Sequence, residues 1–307
     1  MPVDVPCSLD TLIEAYTQHY RRTRGLRDRT LHGYGSLARL FVRAVFGDDP
    51  IDPIRVRPSD VVAFVASLRG RFSPRSMKTV RTALRSLFRF LRFEGLVDGA
   101  LEAAIPAVAY WRLATLPRYL RDDQLAQVLV SSHASTPCGQ RDHAIVVCLA
   151  TLGLRPGEVA DLCLEDLDWR TGVVHLRSRK TGRGATLPLP REAGRALVAY
   201  LRHDRPTTES RRVFVQHLGI RRGTPLSSTA ISEVVARALR RAHIEAPLAG
   251  AYVFRHTLAS RLVRKGASLK EVADFLGHRS LDTTTIYAKL DLPALREVAL
   301  PWPEVPQ

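Results

Sequence analysis

The chain has 307 residues and 45% apolar content, enough for two domains of ordinary size, each with its own hydrophobic core. It contains no run of about 18 apolar residues, and its first ten residues lack the basic and apolar regions of a secretion signal. We therefore expect a cytoplasmic protein without a membrane segment. The 46 lysines and arginines exceed the 30 aspartates and glutamates by 16 charges, which favours nucleic acid as a partner. A solvated basic surface in a protein from an arginine-rich proteome is the alternative that composition leaves open.

The spacing of the cysteines gives no indication of a metal site or a cofactor. The four cysteines, Cys7, Cys138, Cys148 and Cys163, form no CxxC pair. Cys148 and Cys163 lie in apolar helical patterns, where a thiol behaves as a small hydrophobic group. The sequence therefore predicts no disulfide, no zinc site and no cofactor.

The first part of the chain, residues 1–105, is predicted to be entirely helical. Hydrophobic periodicity and start signals favour helices over residues 8–24, 28–46, 58–69 and 76–93. The last of these has apolar residues at helical spacing: Met77, Val80, Leu84, Leu87, Phe88 and Leu91. Residues 106–117 form the predicted linker, because prolines and small residues interrupt the periodicity there.

The same helix carries a second row of residues, here called the basic stripe. It consists of Lys78, Arg81, Arg85, Arg89 and Arg92. Five cations with no acidic residue among them from Lys78 to Phe93 repel one another unless a negative group lies alongside. Phosphates of nucleic acid are the expected neighbours, and a solvated helix face is the alternative.

The second part of the chain, residues 118–307, is predicted to be mixed but mostly helical. The expected helices cover residues 121–132, 139–153, 156–164, 191–203, 227–242, 255–265, 268–276 and 282–289. Alternating polar and apolar residues predict strands at 172–179 and 185–190, joined by the turn KTGRG with Lys180 at its mouth. The predicted fold class is therefore mainly α, with an all-helical N-terminal domain and a mostly helical second domain that contains a small antiparallel β-sheet.

Two arginines lie at predicted helix starts. Arg155 precedes Pro156, which disfavours helical backbone at Arg155 and leaves its guanidinium free to project, and Glu158 follows three residues later. Arg255 opens the next candidate site, where a helix N-terminus and a guanidinium together suit an anion. His256 beside it is more simply explained as a partly buried histidine bonded to the backbone. Each motif alone has an ordinary structural explanation.

The stretch LGHRSLDTTTIYAKLD contains the last two candidates. His278 follows Gly277, the predicted terminator of helix 268–276, and is therefore expected to face a site rather than the core. Asp282 is predicted to cap the short helix that carries Tyr287. Taken alone, Tyr287 is more simply explained as a core residue, because most tyrosines pack.

Taken together, these residues resemble the tyrosine recombinases, also called the phage integrase family. The resemblance rests on LGLRPGEVADLCLEDLDW, RSRKTGRGATLPLP, FRHTLASRLVRKGASLKEVADFLGH and TTTIYAKLD. It covers the second part nearly completely, from about Leu116 to Val298, whereas residues 1–105 match more generally as a small, SAM-like core-binding domain.

The resemblance implies a metal-free reaction at a DNA phosphodiester. Tyr287 would attack the phosphorus and form a 3′-phosphotyrosine, which releases a 5′-hydroxyl. Arg155, Arg255 and His278 would bind the phosphate oxygens, and Lys180 would protonate the leaving 5′ oxygen. Glu158 would be a supporting residue.

One position departs from the family pattern. The family usually has a histidine three residues before Arg255, where this chain has Tyr252. Because that histidine normally helps handle the nucleophile's proton, three alternatives follow: Tyr252 bonds a phosphate oxygen, His256 or a water accepts the proton, or activity is reduced.

The last segment, AKLDLPALREVALPWPEVPQ, is expected to mediate assembly. Leu295, Val298 and Leu300 suit one apolar face of a short helix, which either folds back on its own domain or docks on a neighbour. The resemblance favours docking, in a tetramer on two double-stranded DNA sites.

The sequence therefore predicts a site-specific DNA recombinase, and Tyr252 with the tail resembles the enzymes that integrate or excise mobile elements. A non-catalytic DNA-binding protein of the same fold is the alternative, supported by the missing histidine. A type IB topoisomerase uses the same chemistry but is longer. The target sequence and any accessory proteins stay open.

Overall fold

The chain divides into two units, Met1–Trp111 and Arg112–Gln307, and each has its own hydrophobic core. The computed structural model describes residues 8–107, 116–133, 136–177, 184–245, 250–278 and 280–290, apart from the side chains of Arg75 and Leu281. Within these ranges, no helix has the length and apolar content needed to cross a membrane.

The regular secondary structure of the first unit is helical in its described residues, apart from an isolated β-bridge between Arg69 and Phe72. Its α-helices are α1 (Leu9–Arg24), α2 (Asp28–Phe46), α3 (Pro58–Ser67), α4 (Pro74–Phe93) and the short α5 (Ala100–Ala103), with a 3-10 turn at Pro53–Arg55. Ser8 and Ser73 cap α1 and α4, because each hydroxyl accepts a backbone N–H three residues later. Helix α4 starts two residues before its predicted start, since the fixed φ of Pro74 suits a first turn.

Helix α4 supplies much of the core of the first unit. All six of its predicted apolar residues are buried: Met77, Val80, Leu84, Leu87, Phe88 and Leu91. Phe88 meets Phe41 of α2 edge to face, with ring centres 5.3 Å apart. The basic stripe therefore lies beside the buried face of α4, as the spacing predicts.

The second unit surrounds a larger core with helices and one sheet. Its α-helices are α6 (Asp122–Ser132), α7 (Gly139–Leu152), α8 (Pro156–Asp161), α9 (Arg191–Ala199), α10 (Ser228–Arg241), α11 (Tyr252–Arg264) and α12 (Leu269–Leu276). Helix α9 continues into a π-helical turn, Tyr200–Asp204. Helix α7 is buried along most of its length and is the central helix of this unit.

The sheet is antiparallel, with strand order β1 (Leu167–Asp168), β2 (Val173–Leu176), β3 (Ala185–Pro188). Val174 pairs with Leu187, and both side chains face the core. The predicted hairpin and the mainly helical fold class are thus confirmed. Strand β1 has two residues, too few for an alternating pattern to reveal it.

Several predicted helices of the second unit differ in the structure. The helix predicted over 156–164 ends at Asp161, so Cys163 lies outside it. Helix α11 begins at Tyr252 rather than at residue 255, because Gly250 at φ 73° makes the preceding turn. The predicted helix 282–289 is wrong: this segment forms two 3-10 turns, Leu281–Thr283 and Thr285–Leu290. Asp282 lies within the first turn rather than before a helix, and its own N–H is bonded to Ser280 Oγ.

Candidate functional site

Arg155 is held at the start of α8 by a single carboxylate. Glu158 Oε1 accepts a hydrogen bond from Arg155 Nη1 at 2.6 Å, and its Oε2 accepts the Arg155 backbone N–H at 2.9 Å. Glu158 is 8% exposed, so this ion pair is shielded from water. Arg155 Nη2 also donates to the carbonyl of Gly277 at 3.3 Å. These contacts fix the plane of the Arg155 guanidinium.

Arg255 lies in the first turn of α11 and is buried, with 6% of its surface exposed. Its Nη1 donates to the carbonyl of Gly153 at 2.8 Å, and its Nη2 donates to the carbonyl of Leu276. The side chain therefore reaches from α11 to the C-terminal ends of both α7 and α12. A guanidinium is well suited to these ends, because the last carbonyls of a helix carry partial negative charge.

The two arginines meet at the end of α12. Their Nη2 atoms bond to the consecutive carbonyls of Leu276 and Gly277. Gly277 adopts left-handed backbone, with φ 62°, which ends α12 and turns the chain at this point. Two cations are thus held together beside a helix end whose dipole offsets part of their repulsion.

His278 follows this turn and joins it to the segment that carries Tyr287. Its Nδ1 is hydrogen-bonded to Thr284 Oγ1 at 2.7 Å, and its backbone N–H donates to the carbonyl of Ala273 at 2.9 Å. Thr284 is fully buried and lies between the two 3-10 turns. The ring of His278 therefore lies between α12 and the tyrosine segment.

Tyr287 is both a packed residue and a member of this site. It is 2% exposed and belongs to a small apolar cluster with Ala259, Val263, Val272 and Leu276. Its hydroxyl oxygen lies 2.7 Å from Nδ1 of His256. Burial raises the pKa of Tyr287 well above its usual value, and the positive charge of Arg255 opposes that rise only in part.

Of the other two predicted site residues, one is not described by the structure and the other is exposed. Lys180 falls in residues 178–183, outside the described residues. Tyr252 is the first residue of α11 and is 47% exposed, in contrast to the buried Arg255 and Tyr287.

The basic stripe has an acidic neighbour that the α4 sequence alone does not contain. Glu102 of α5 accepts Arg89 Nε at 2.9 Å, and its other oxygen lies 3.4 Å from Arg92 Nη1. The Glu102 side chain is 18% exposed, whereas the side chains of both arginines are about half exposed. A negative group of the protein itself therefore lies beside Arg89 and Arg92, and contact of the stripe with phosphates stays a prediction.

Several groups of the site could not be predicted from the sequence. The carbonyls of Gly153 and Leu276, which bind Arg255, carry no side-chain signal. Thr284 lies in a run of three threonines that gives no reason to choose one of them. Gly153, with φ 61° after α7, was detectable as a C-terminal cap candidate but not as a ligand of Arg255.

Comparison with known proteins relates this site to one family. Residues 118–292 match the sequence model of the phage integrase family, and residues 13–95 match the N-terminal SAM-like domain of phage integrases. The chain is 42% identical over 298 residues to the candidate integrase/recombinase y4rA of Sinorhizobium fredii (strain NBRC 101917 / NGR234), which covers 97% of this chain and 72% of that protein. It is 30% identical to tyrosine recombinase XerD of Listeria monocytogenes, over 94% of this chain and 97% of that protein.

The fold has a counterpart among solved structures. A lambda integrase tetramer bound to a Holliday junction superposes with a TM-score of 0.67 and 20% identity, over 99% of this chain and 81% of that one. The match covers both units of the chain. With the family match over most of the second unit and the 42% identical relative, the chain belongs to the tyrosine recombinase, or phage integrase, family of site-specific recombination enzymes.

Proposed function

We propose that this protein cuts and rejoins double-stranded DNA through a 3′-phosphotyrosine at Tyr287. The observation that carries the proposal is the clustering of Arg155, Arg255 and His278 at the end of α12, against which the Tyr287 side chain packs. Two fixed guanidinium groups suit the non-bridging oxygens of a phosphodiester and the charge that develops on them during attack. The site thereby supplies electrostatic stabilisation from protein groups alone.

The residues of the proposed site have different roles in the reaction. Arg155 and Arg255 bind the phosphate oxygens, and His278 adds a hydrogen bond. Glu158 is a positioning residue, because it holds the Arg155 side chain and backbone together. Lys180 protonates the 5′ oxygen as it leaves.

Attack on DNA requires a change at Tyr287, since its side chain is buried in the structure. The 3-10 turns Leu281–Thr283 and Thr285–Leu290 suit such a change, because 3-10 hydrogen bonds are weaker than those of an α-helix. We infer that DNA binding is accompanied by a shift of this segment, which brings the hydroxyl to the phosphorus.

DNA affinity in this proposal comes partly from the basic stripe. Lys78 and Arg85 are exposed, and Arg81 is partly buried beside them. Arg89 and Arg92 share Glu102 and therefore have less net charge to offer a phosphate. The first domain would act as the core-binding domain and the second as the catalytic domain.

The proposed reaction takes place in a tetramer on two DNA sites and integrates or excises a mobile element. The lambda integrase tetramer on a Holliday junction supports the assembly, and the integrase/recombinase relative of S. fredii supports the biological role. The docking element would be the tail after Leu290, which lies outside the described residues.

A nicked suicide substrate tests the chemistry. DNA that flanks the gene is first screened for specific binding, and a nick is then placed so that the cut end diffuses away and the covalent complex accumulates. We expect a protein–DNA adduct with the unaltered protein and none with Tyr287→Phe, although both bind the DNA. If the unaltered protein binds specifically but never forms the adduct, the alternative of a non-catalytic DNA-binding protein of this fold is correct.

A further inference from the structure

The hydroxyl of Tyr287 has one described side chain at hydrogen-bonding distance, that of His256. The two residues are 31 positions apart, and their rings are 5.7 Å apart and inclined by 50°. His256 follows Arg255 on α11, so the helix that supplies a phosphate ligand also supplies this imidazole. The contact is therefore a feature of tertiary structure and not of local sequence.

A phenol in this position needs a proton acceptor. Burial keeps Tyr287 protonated, because it raises the pKa of the hydroxyl, and Arg255 offsets that rise only in part. A protonated phenol is a weak nucleophile, so attack on phosphorus requires transfer of the proton as the new bond forms. The acceptor must lie within about 2.6–3.2 Å of the oxygen, a distance range that includes His256 Nδ1.

We propose that His256 is the general base that accepts the proton of Tyr287, an inference that rests on the proposed function of Tyr287 as the nucleophile. In this step the Tyr287 oxygen forms a bond to phosphorus, and its proton moves to Nδ1 of a neutral His256. The bond from phosphorus to the 5′ oxygen breaks, and that oxygen keeps the electron pair and takes a proton from the leaving-group acid. In the reverse step the imidazolium returns its proton to the phenol.

The proposal assigns one tautomer to His256. Nδ1 accepts only if the proton of the neutral ring is on Nε2. Proton transfer becomes favourable when a phosphate dianion-like transition state sits against the arginines and compensates for the imidazolium charge.

His256→Asn separates proton transfer from positioning. The asparagine oxygen occupies nearly the place of Nδ1 and can accept the hydrogen bond of Tyr287, but it cannot take the proton. We expect the rate of covalent complex formation on the nicked substrate to fall roughly 100-fold or more, the usual effect of losing a general base. DNA binding and thermal unfolding should change little. The matched control is His203→Asn, which alters an exposed histidine of the π-helical turn.

A substrate with sulfur in place of the bridging 5′ oxygen tests whether His256 acts on the attacking hydroxyl or on the leaving oxygen. A thiolate leaves without a proton, so the sulfur substrate removes the need for a leaving-group acid but not for a base. We expect His256→Asn to stay roughly as impaired on it. Full recovery on sulfur would mean that His256 acts at the leaving oxygen and would overturn the proposal.

Two further outcomes are distinct from failure of the proposed function. If His256→Asn cuts at the rate of the unaltered protein while Tyr287→Phe forms no adduct, Tyr287 is the nucleophile and His256 is not its base. If His256→Asn is unstable, His256→Gln and His256→Ala are measured instead, and a normal rate in either also refutes the base. Absence of any adduct with the unaltered protein refutes the proposed function itself.

Discussion

Glu158 links the backbone and the side chain of Arg155 through its two oxygens. Because the carboxylate is buried, it has few other partners, and its charge is compensated by that guanidinium. A residue of this kind affects catalysis through the arginine that it orients. Its removal should therefore alter reaction rate more than DNA affinity.

We expect Glu158→Gln to slow covalent complex formation roughly tenfold or more, equivalent to about 1.4 kcal/mol or more of transition-state stabilisation. The free energy of unfolding should fall by about 1–3 kcal/mol, the cost of leaving a buried partner unsatisfied. Single-turnover cleavage and urea unfolding measure the two effects. Glu165→Gln is the control, because Glu165 pairs with Arg211 at an exposed site. Equal effects of the two substitutions would contradict the positioning role.

Ionisation of Tyr200 should make the protein less stable at alkaline pH. Burial raises the pKa of Tyr200 to about 12, whereas an unfolded tyrosine titrates near 10. Between these values the folded protein retains a proton that the unfolded chain has lost, so stability is complete below pH 10 and decreases as pH rises toward 12. Tyr200→Phe should remove up to about 2–3 kcal/mol of this pH dependence.

Urea unfolding of both proteins at pH 9, 10 and 11 tests this expectation. The curve of free energy against pH should be shallower for Tyr200→Phe than for the unaltered protein. Curves that stay parallel across this range would show that the hydroxyl of Tyr200 does not resist ionisation.

At the scale of single residues, the sequence supplied candidate side chains for the site but not the groups that hold them. Spacing and the family resemblance selected Arg155, Arg255, His278 and Tyr287. Arg255, however, is bound by the carbonyl of Gly153, 102 positions away. Backbone acceptors have no residue type, so they become visible only when the helices are packed.

Among the helices, α5 shows how a four-residue element changes the charge of a neighbour. Glu102 pairs with Arg89 and Arg92, and so lowers the local positive charge at the end of the basic stripe. Helical spacing on α4 cannot reveal this, because the carboxylate reaches the stripe by the packing of α5 on α4.

We expect Glu102→Gln to increase non-specific DNA affinity at low salt. If Arg89 and Arg92 then bind phosphates, the slope of log affinity against log salt should steepen by about 1–2 units, near 0.9 for each contact. Fluorescence anisotropy over a range of salt concentrations measures this slope. Glu94→Gln is the control, since it changes the net charge equally at an exposed position just after α4. Identical slopes for the two variants would exclude Arg89 and Arg92 as phosphate-binding residues.

The segment of Tyr287 was predicted as a helix and forms 3-10 turns instead. Its three consecutive threonines disfavour an α-helix, because β-branched side chains lose rotamer freedom there. Ser280, rather than Asp282, provides the local side-chain cap. Periodicity could not distinguish an eight-residue helix from two shorter turns.

For the whole molecule, composition and periodicity predicted a helical first part and a mixed second part, as the two units show. The assembly of protomers could not be predicted in this way, because periodicity within one chain does not show which residues contact a second copy. Our expectation concerns the apolar tail after Leu290.

A protein that ends at Leu290 should bind a single DNA site within about twofold of the full chain but should not recombine two sites. Docking of the tail on a neighbour stabilises only the assembly of several protomers, so the two activities should separate. Gel shift and strand exchange on paired sites measure them. Equal losses of both would instead assign the tail to the fold of its own domain.

The carbonyl of Gly153 has a consequence for how the protein tolerates mutation. Gly153 has φ 61°, and a Cβ there would lie 2.9 Å from methyl groups of Leu258 and Leu276, so another residue would strain the backbone whose carbonyl holds Arg255 and would push against these two side chains. A genetic selection for proteins that occupy their target but leave it uncut should therefore recover changes at this uncharged position as readily as changes at the arginines. Activity would then depend on a backbone carbonyl, a group that every amino acid possesses, at a position where the backbone conformation favours glycine.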